Sequence, residues 1–295
     1  MTAVVEVASL TKRFGSVRAV SDATFTVNEH SVCGLLGRNG AGKTTLMQLL
    51  TGQEFASHGS IALFGENPVE NANALGRTCF NKESQAYPDG FKGKHVLQVA
   101  SWVYPHWNKE LAHELVGEFD VPLNRRMKKL SRGQRSAIGV VVGIASRAEL
   151  TIFDEPYAGL DAVARQLFYD RLLQDYGVHP RTILMSTHLI DEVANLLDHV
   201  LVIDAGKIII DSPADDLRGT AMAVAGKHSA VEVFARGREV LNWDSLGGLA
   251  SVTIAGLFDS DKADALAAGL EATPVSLQQL IIARTRNTAR ADNAS

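Results

Sequence analysis

Gly37-Arg38-Asn39-Gly40-Ala41-Gly42-Lys43-Thr44 lies between a compact apolar run, Ser31 to Leu36, and a segment, Lys43 to Leu50, whose apolar residues recur at helical spacing. Strand, glycine loop and helix in that order is the context that the pattern G-x-x-x-x-G-K-[ST] needs in order to cradle phosphate. Glycines without Cβ atoms let the backbone wrap tightly, so successive N–H groups and the positive end of the next helix converge on an anion. The loop predicts nucleotide binding through Gly37, Asn39, Gly40, Ala41, Gly42, Lys43, Thr44 and the adjoining Thr45. In that chemistry Lys43 reaches the β- and γ-phosphates and Thr44 offers its hydroxyl to Mg2+. A chance glycine turn accounts for the loop alone, and leaves the lysine, the hydroxyl and both flanking elements without a reason.

Upstream, Val4 to Ala8 and Ala23 to Val27 are β-prone, and Ser60 to Phe64 is a further strand candidate bounded by Gly59 and Gly65. Val96 to Phe119 reads as a helical insert, broken by the aromatic segment Trp102, Tyr104, Pro105, His106, Trp107. After Ser131, strands and helices alternate. Glu149 to Phe153, Arg181 to Ser186, His199 to Ile203 and Lys207 to Ile210 are predicted strands; Asp161 to Tyr176 and Leu189 to Leu197 are predicted helices. Alternation of this kind predicts an α/β fold with a mostly parallel, doubly wound sheet, whose sites gather at the carboxyl ends of the strands. Asp154 and Glu155 stand at one such end. A carboxylate there can hold Mg2+, and its neighbour can polarise an attacking water as general base, so Asp154 takes the first role and Glu155 the second.

Composition sets the outer bounds. The 295 residues, 46% apolar and 21% charged, leave room for one large domain and a smaller one. Candidate spanning runs are interrupted by Arg147 and Glu149 or by Asp204 and Lys207, so no direct membrane span is expected. A net charge of -4 gives no general attraction to nucleic acid. Cys33 and Cys79 lie far apart and suggest neither a disulfide framework nor a zinc site, which fits a reducing compartment. Beyond Pro213 the character changes: Ala230 to Phe234 and Ala250 to Ile254 are strand candidates, Ser276 to Ala283 a helix, and 286–295 a polar, flexible tail.

Three more segments carry a family resemblance. Leu130-Ser131-Arg132-Gly133-Gln134 resembles the LSGGQ signature of the ABC ATPases, Ala158-Gly159-Leu160-Asp161 resembles their D-loop, and His188 in Ser186-Thr187-His188 resembles their switch histidine. Order and spacing agree over about residues 3 to 212. The resemblance implies a P-loop NTPase ABC cassette over 1–212: a RecA-like core, an N-terminal antiparallel β subdomain, and a helical subdomain at about 86–135, followed by a small accessory α+β domain at 213–285. It also implies ATP hydrolysis in a pair of cassettes packed head to tail, each ATP lying between one subunit's phosphate loop and the other's signature.

On that reading Phe14 stacks on adenine, and Lys43, Glu155 and His188 act in hydrolysis. Ser131, Gly133 and Gln134 meet the ATP of the second cassette, and Asp161 links the half-sites. Ser131 is also a good helix N-cap in its own right. Two positions depart from the family pattern. Arg132 replaces the first glycine of the signature pair, and Gln85 stands near, but not at, the position of the glutamine that contacts Mg2+, which falls closer to Lys82 and Glu83. The single short cassette, the aromatic segment and the C-terminal extension resemble the ATPase subunits of bacterial drug or antibiotic exporters. Such a subunit works with a separate polytopic transmembrane subunit at the cytoplasmic face of the cell membrane. The rival readings are a non-transport ABC ATPase associated with translation or DNA, and a kinase or GTPase sharing the phosphate loop; the latter leaves Ser131 to Gln134 and His188 unexplained.

Overall fold

A computed structural model describes residues 2–83, 85–257 and 261–292. The chain begins with a long hairpin, β1 (Ala3–Phe14) and β2 (Val17–Asn28), joined on the other side of β1 by β4 (His58–Leu63) in a three-stranded antiparallel sheet. Val5, Val7, Leu10, Val20, Ala23, Phe25 and Val27 form its buried face. The strands outrun the short apolar stretches that predict them because exposed polar residues also pair across the hairpin, Arg13 opposite Arg18 and Glu6 opposite Thr26.

β3 (Val32–Leu36) is buried throughout, the mark of a strand covered on both faces. It lies inside a six-stranded sheet with β5 (Thr78–Asn81), β6 (Leu150–Asp154), β7 (Thr182–Thr187), β8 (His199–Asp204) and β9 (Lys207–Pro213), in the order β5-β6-β7-β3-β8-β9. β5 with β6, β6 with β7, and β3 with both β7 and β8 run parallel. Between β3 and β5 come α1 (Lys43–Leu50) and the short α2 (Ala72–Gly76). α1 buries Leu46, Met47, Leu49 and Leu50 in a core shared with the hairpin and with β3 and β6. β5 and α2 escape the sequence pattern because each is no longer than five residues and carries no clear period.

The helical insert expected over Val96 to Phe119 becomes α3 (Gly93–Val103) and α4 (Lys109–Glu118); α5 (Arg132–Ala145) follows and runs past the expected end of the helical subdomain, with a small core of Val96, Val121, Met127, Leu130, Ala137 and Ile138. α6 (Ala162–Val178) follows β6, and α7 (Ile190–Val193) follows β7. The helix expected over Leu189 to Leu197 is only those four residues long. Its first residue has no side-chain cap, and Asp191 turns its carboxylate elsewhere.

The chain divides into two compact units, residues 1–188 with 196–211, and residues 189–195 with 212–295. The second unit has a four-stranded sheet, β11-β12-β10-β13, made from β10 (Ala221–Lys227), β11 (Glu239–Leu246), β12 (Leu249–Ala255) and β13 (Glu271–Pro274). α8 (His228–Ala235) and α9 (Lys262–Ala267) are its shorter helices, and Met222, Val224, Val231, Phe234, Val252, Ile254 and Leu270 fill its core. Ala230 to Phe234, expected as a strand, is therefore helical. Val231, Phe234 and Ala235 are the buried residues, spaced i, i+3, i+4, and that period outweighs the β preference of two valines. α10 (Leu277–Asp292) extends well past the helix expected from Ser276 to Ala283, so the backbone of 286–292 is helical where composition reads as a flexible tail. Residues 293–295 of that expected tail lie outside the described residues. Ser276 caps α10 in a reciprocal box with Gln279, and Asp191 accepts from the Gln278 N–H at 3.3 Å and from the Ser276 hydroxyl at 3.2 Å.

Candidate active site

Because β6, β7 and β3 are parallel neighbours, the loops leaving their carboxyl ends meet on one edge of the sheet. Those loops are Gly37–Thr44, Asp154–Glu155 and Thr187–His188. Gly42 enters α1 at φ 114°, in the left-handed region, and a Cβ there would come 2.3 Å from the Ala19 carbonyl oxygen. Only glycine lets the hairpin, the loop and the helix approach so closely. Lys43 is buried, and its ammonium donates to the Gly37 and Arg38 carbonyls at 2.8 and 3.2 Å, lying 3.7 Å from Glu155. Burial pushes its pKa down from the usual lysine value, with the charges of Glu155 and Asp154 opposing the shift.

Asp154 is 2% exposed and accepts two hydroxyl protons, from Thr44 at 2.9 Å and from Ser186 at 2.8 Å. Ser186 in turn accepts the Glu155 N–H at 3.0 Å. Glu155 has φ 46°, a left-handed conformation that costs a non-glycine residue free energy, and it turns the carboxylate toward Lys43 and toward His188 Nδ1, 3.2 Å away. Tyr157, two residues on, is buried against His188. Its hydroxyl accepts the His188 N–H at 3.1 Å and lies 2.8 Å from the Thr187 hydroxyl and 3.2 Å from His188 Nδ1.

Burial raises the pKa of Asp154 above the ordinary carboxylate value. The Ser186 and Thr44 hydrogen bonds oppose this, while the charges of Glu155 and Glu83 add to it. An acid whose folded pKa is raised gives its stability when protonated, below its unfolded pKa, and loses it as pH rises through the folded value. Asp154→Asn should therefore raise the Tm of the nucleotide-free chain, by a margin that grows as pH rises from the ordinary aspartate value of about 3.8 through the raised folded value and then levels off. Thermal melts across that range check this; a margin that shrinks with pH contradicts it.

The signature segment is built as its sequence reads. Ser131 caps α5, accepting the Gln134 N–H at 3.1 Å, while the Gln134 side chain accepts the Ser131 N–H at 3.2 Å, so the glutamine of the motif is used in the cap. A Cβ on Gly133 would lie 2.3 Å from the Gly159 carbonyl oxygen. The close approach that glycine permits here is thus to the turn at Gly159, ahead of α6. Asp161 caps α6 through the Ala164 N–H at 2.9 Å. Phe14 is 45% exposed, with the Lys12 ammonium 4.6 Å from its ring centre, and is not a core residue. Thr45 is half-buried in α1.

Gln85 is not drawn into this set: it is exposed, and its amide donates to the Ala86 carbonyl at 3.3 Å rather than toward Thr44 or Asp154. Glu83 is the residue of that segment whose charge reaches Asp154, and it pairs with Arg132. The sequence reading misses Tyr157 and the bridging part of Ser186; their placement directly after strand ends is the signal that could have found them. No cluster of three or more His, Cys, Asp or Glu able to hold a metal occurs among the described residues. One carboxylate and one hydroxyl, Asp154 and Thr44, fit an ion such as Mg2+ that takes its remaining ligands from phosphate and water.

A cavity of about 480 Å3 lies elsewhere, at the amino ends of β5, β6 and β7, lined by Arg77, His106, Arg147, Glu149 and Arg181 among others. Its arginines are engaged by carboxylates, Arg77 by Glu149, and Arg147 and Arg181 by Asp175. It is a structural feature, and the chemistry lies on the opposite edge.

Comparison with known proteins bears on the whole arrangement. The ABC transporter family model matches residues 20–158. The bacitracin transport ATP-binding protein BcrA of Bacillus licheniformis is 30% identical over 227 residues, 74% of this chain and 72% of that protein. The ABC transporter ATP-binding protein NatA of Bacillus subtilis is 30% identical over 210 residues, 68% of this chain and 84% of that protein. Among solved structures, one described as the ATP-binding subunit of an ABC transporter superposes with a TM-score of 0.65 at 22% identity, over 72% of this chain and 91% of that one. Among the described residues no helix is long and apolar enough to cross a membrane.

Proposed function

Since the chain belongs to the ABC transporter ATP-binding proteins, we propose that it is the ATP-hydrolysing subunit of an exporter, coupled to a separate membrane subunit. The observation that carries this reading is the convergence of Lys43, Thr44, Asp154, Glu155 and His188 on one edge of the parallel sheet. The glycine cradle at Gly42 fits a phosphate chain, and Thr44 with Asp154 fits its Mg2+. Bound Mg2+ neutralises charge that develops on the phosphate oxygens. Lys43 exchanges the Gly37 and Arg38 carbonyls for the phosphates. Glu155 accepts a proton from the attacking water, and His188 orients at the γ-phosphate. Phe14, exposed at the end of β1, offers a face to adenine.

Ser131, Gly133 and Asp161 serve a second cassette, so each chain holds two half-sites. Dimeric cassettes among the solved structures of this fold, one titled as bound to ADP and Pi, support that arrangement. The likeness to bacitracin transport ATP-binding proteins supports antibiotic export as the class of transport.

A membrane subunit needs a seat on the chain, which we place at the cytoplasmic face of the membrane. α3 presents Val99, Trp102 and Val103 to solvent beside an apolar cavity of about 400 Å3 that Cys79, Tyr87, Val96 and Tyr104 help to line. Trp102, 73% exposed, does no work in the core. Trp102→Glu should leave the ATPase activity and Tm of the isolated chain unchanged and abolish its co-purification with a multi-span membrane protein. Retention of that protein would remove α3 from the contact, and co-purification of the wild-type chain with ribosomes or DNA would overturn the transport reading.

A further inference from the structure

We propose that Tyr157 is the positioning residue of the switch histidine, holding both the backbone and the ring of His188 in place when Glu155 turns to the reacting water. The inference rests on the hydrolysis reading above and adds a residue to it. His188 Nδ1 has two neighbours at the same distance, Glu155 Oε2 and Tyr157 Oη, each at 3.2 Å. They are not equivalent. Glu155 also stands 3.7 Å from Lys43, and a general base must come within hydrogen-bond reach of its water, so one carboxylate is asked to serve three partners. It cannot stay on Nδ1 throughout the cycle.

His188 by itself is poorly held, with 46% of its side chain exposed. Tyr157 is 3% exposed, follows the rigid Pro156, and packs its ring edge-on to the imidazole with centroids 5.7 Å apart. Its hydroxyl fixes the peptide of His188 by accepting the N–H, and braces on the Thr187 hydroxyl. A phenol is also neutral, so it holds Nδ1 without competing for Lys43 or for a metal ion. With Nδ1 kept on Tyr157, the opposite ring nitrogen, Nε2, points away from the tyrosine. While the Glu155 carboxylate is the partner, Nδ1 carries the ring proton. Once Glu155 leaves, the tyrosine O–H donates to Nδ1 and the ring proton is on Nε2.

Tyr157→Phe tests this, because it keeps the ring packing and deletes one oxygen. Turnover should fall by about tenfold or more, with KM for ATP within about twofold and Tm nearly unchanged, the pattern of a group acting after binding. A second measurement does not depend on turnover. Nitrogen-15 spectra of the His188 ring in the nucleotide-free Glu155→Ala background, where the competing carboxylate is gone, should report the Nε2–H tautomer with Tyr157 present and an averaged pair once Tyr157→Phe is added. Wild-type turnover in the variant overturns the proposal, as does a loss shared equally by ATP binding, or a His188 spectrum indifferent to the hydroxyl. A wild-type chain that hydrolyses no ATP would instead remove the hydrolysis reading, and the spectra would still decide whether Tyr157 holds His188.

Discussion

Glu155→Gln should bind ATP as tightly as the wild type, lose about 10²- to 10⁴-fold in turnover, and accumulate as an ATP-bound dimer. The expectation follows from what the amide keeps and what it loses. Glu155 is held by its backbone, through its N–H to Ser186 and its φ of 46°, and both survive the substitution. Glutamine pays the same conformational cost as glutamate, so the Tm should not fall. The amide cannot take a proton from water, while Lys43, Thr44 and Asp154, which would hold the nucleotide, are untouched. Single-turnover hydrolysis together with size-exclusion chromatography in ATP measures both halves. Turnover within a few-fold of wild type would sink the assignment of the base, and lost turnover with lost ATP binding would mean that Glu155 shapes the cradle instead.

Asp175→Ala should be the most damaging change to stability, at about 3 to 5 kcal/mol and on the order of 10 °C in Tm. Asp175 sits in α6, 4% exposed, and accepts from Arg181 at 2.7 Å through one oxygen and from Arg147 at 2.7 Å through the other. Arg181 immediately precedes β7 and is buried, and burial already pushes its pKa below the ordinary arginine value. Without Asp175 the fold must keep that cation desolvated with no counter-charge, while the end of α5, the body of α6 and the start of β7 lose a common tie. Desolvation also predicts a rescue. Arg181→Met in the Asp175→Ala background should recover a large part of the loss, because an apolar side chain of similar length does not need the carboxylate. Urea unfolding of the two variants decides the point. A single variant within about 1 kcal/mol of wild type would mean that solvent reaches the arginine after all.

What the sequence discloses follows from how local the cause is. α1 is found at its observed ends because the glycine loop and the apolar period are contiguous, and the strand-end acids are found because they directly follow the largely apolar Leu150–Phe153 of β6. α8 is misread because it is short and its valines favour a strand, whereas the contacts that make it a helix come from distant β10 and β12. In the site, Lys43, Thr44 and Glu155 are legible from spacing. Tyr157 and Ser186 act only through residues about thirty positions away, a relation created when β6 and β7 pair. Gln85 misleads for the opposite reason: a residue type without its local geometry.

The accessory unit is better described as a splice than as a tail. The chain enters it at Leu189, directly after His188, leaves it at Asn195, and returns at Ser212. Asp191, on the first visit, closes the amino end of α10, on the second. Residues 212–295 alone would supply α10 without the Asp191 carboxylate that accepts the Gln278 N–H, so the unit is complete only with both stretches of chain. Exchanging this extension between relatives is accordingly a two-segment transplant, in which 189–195 travels with it.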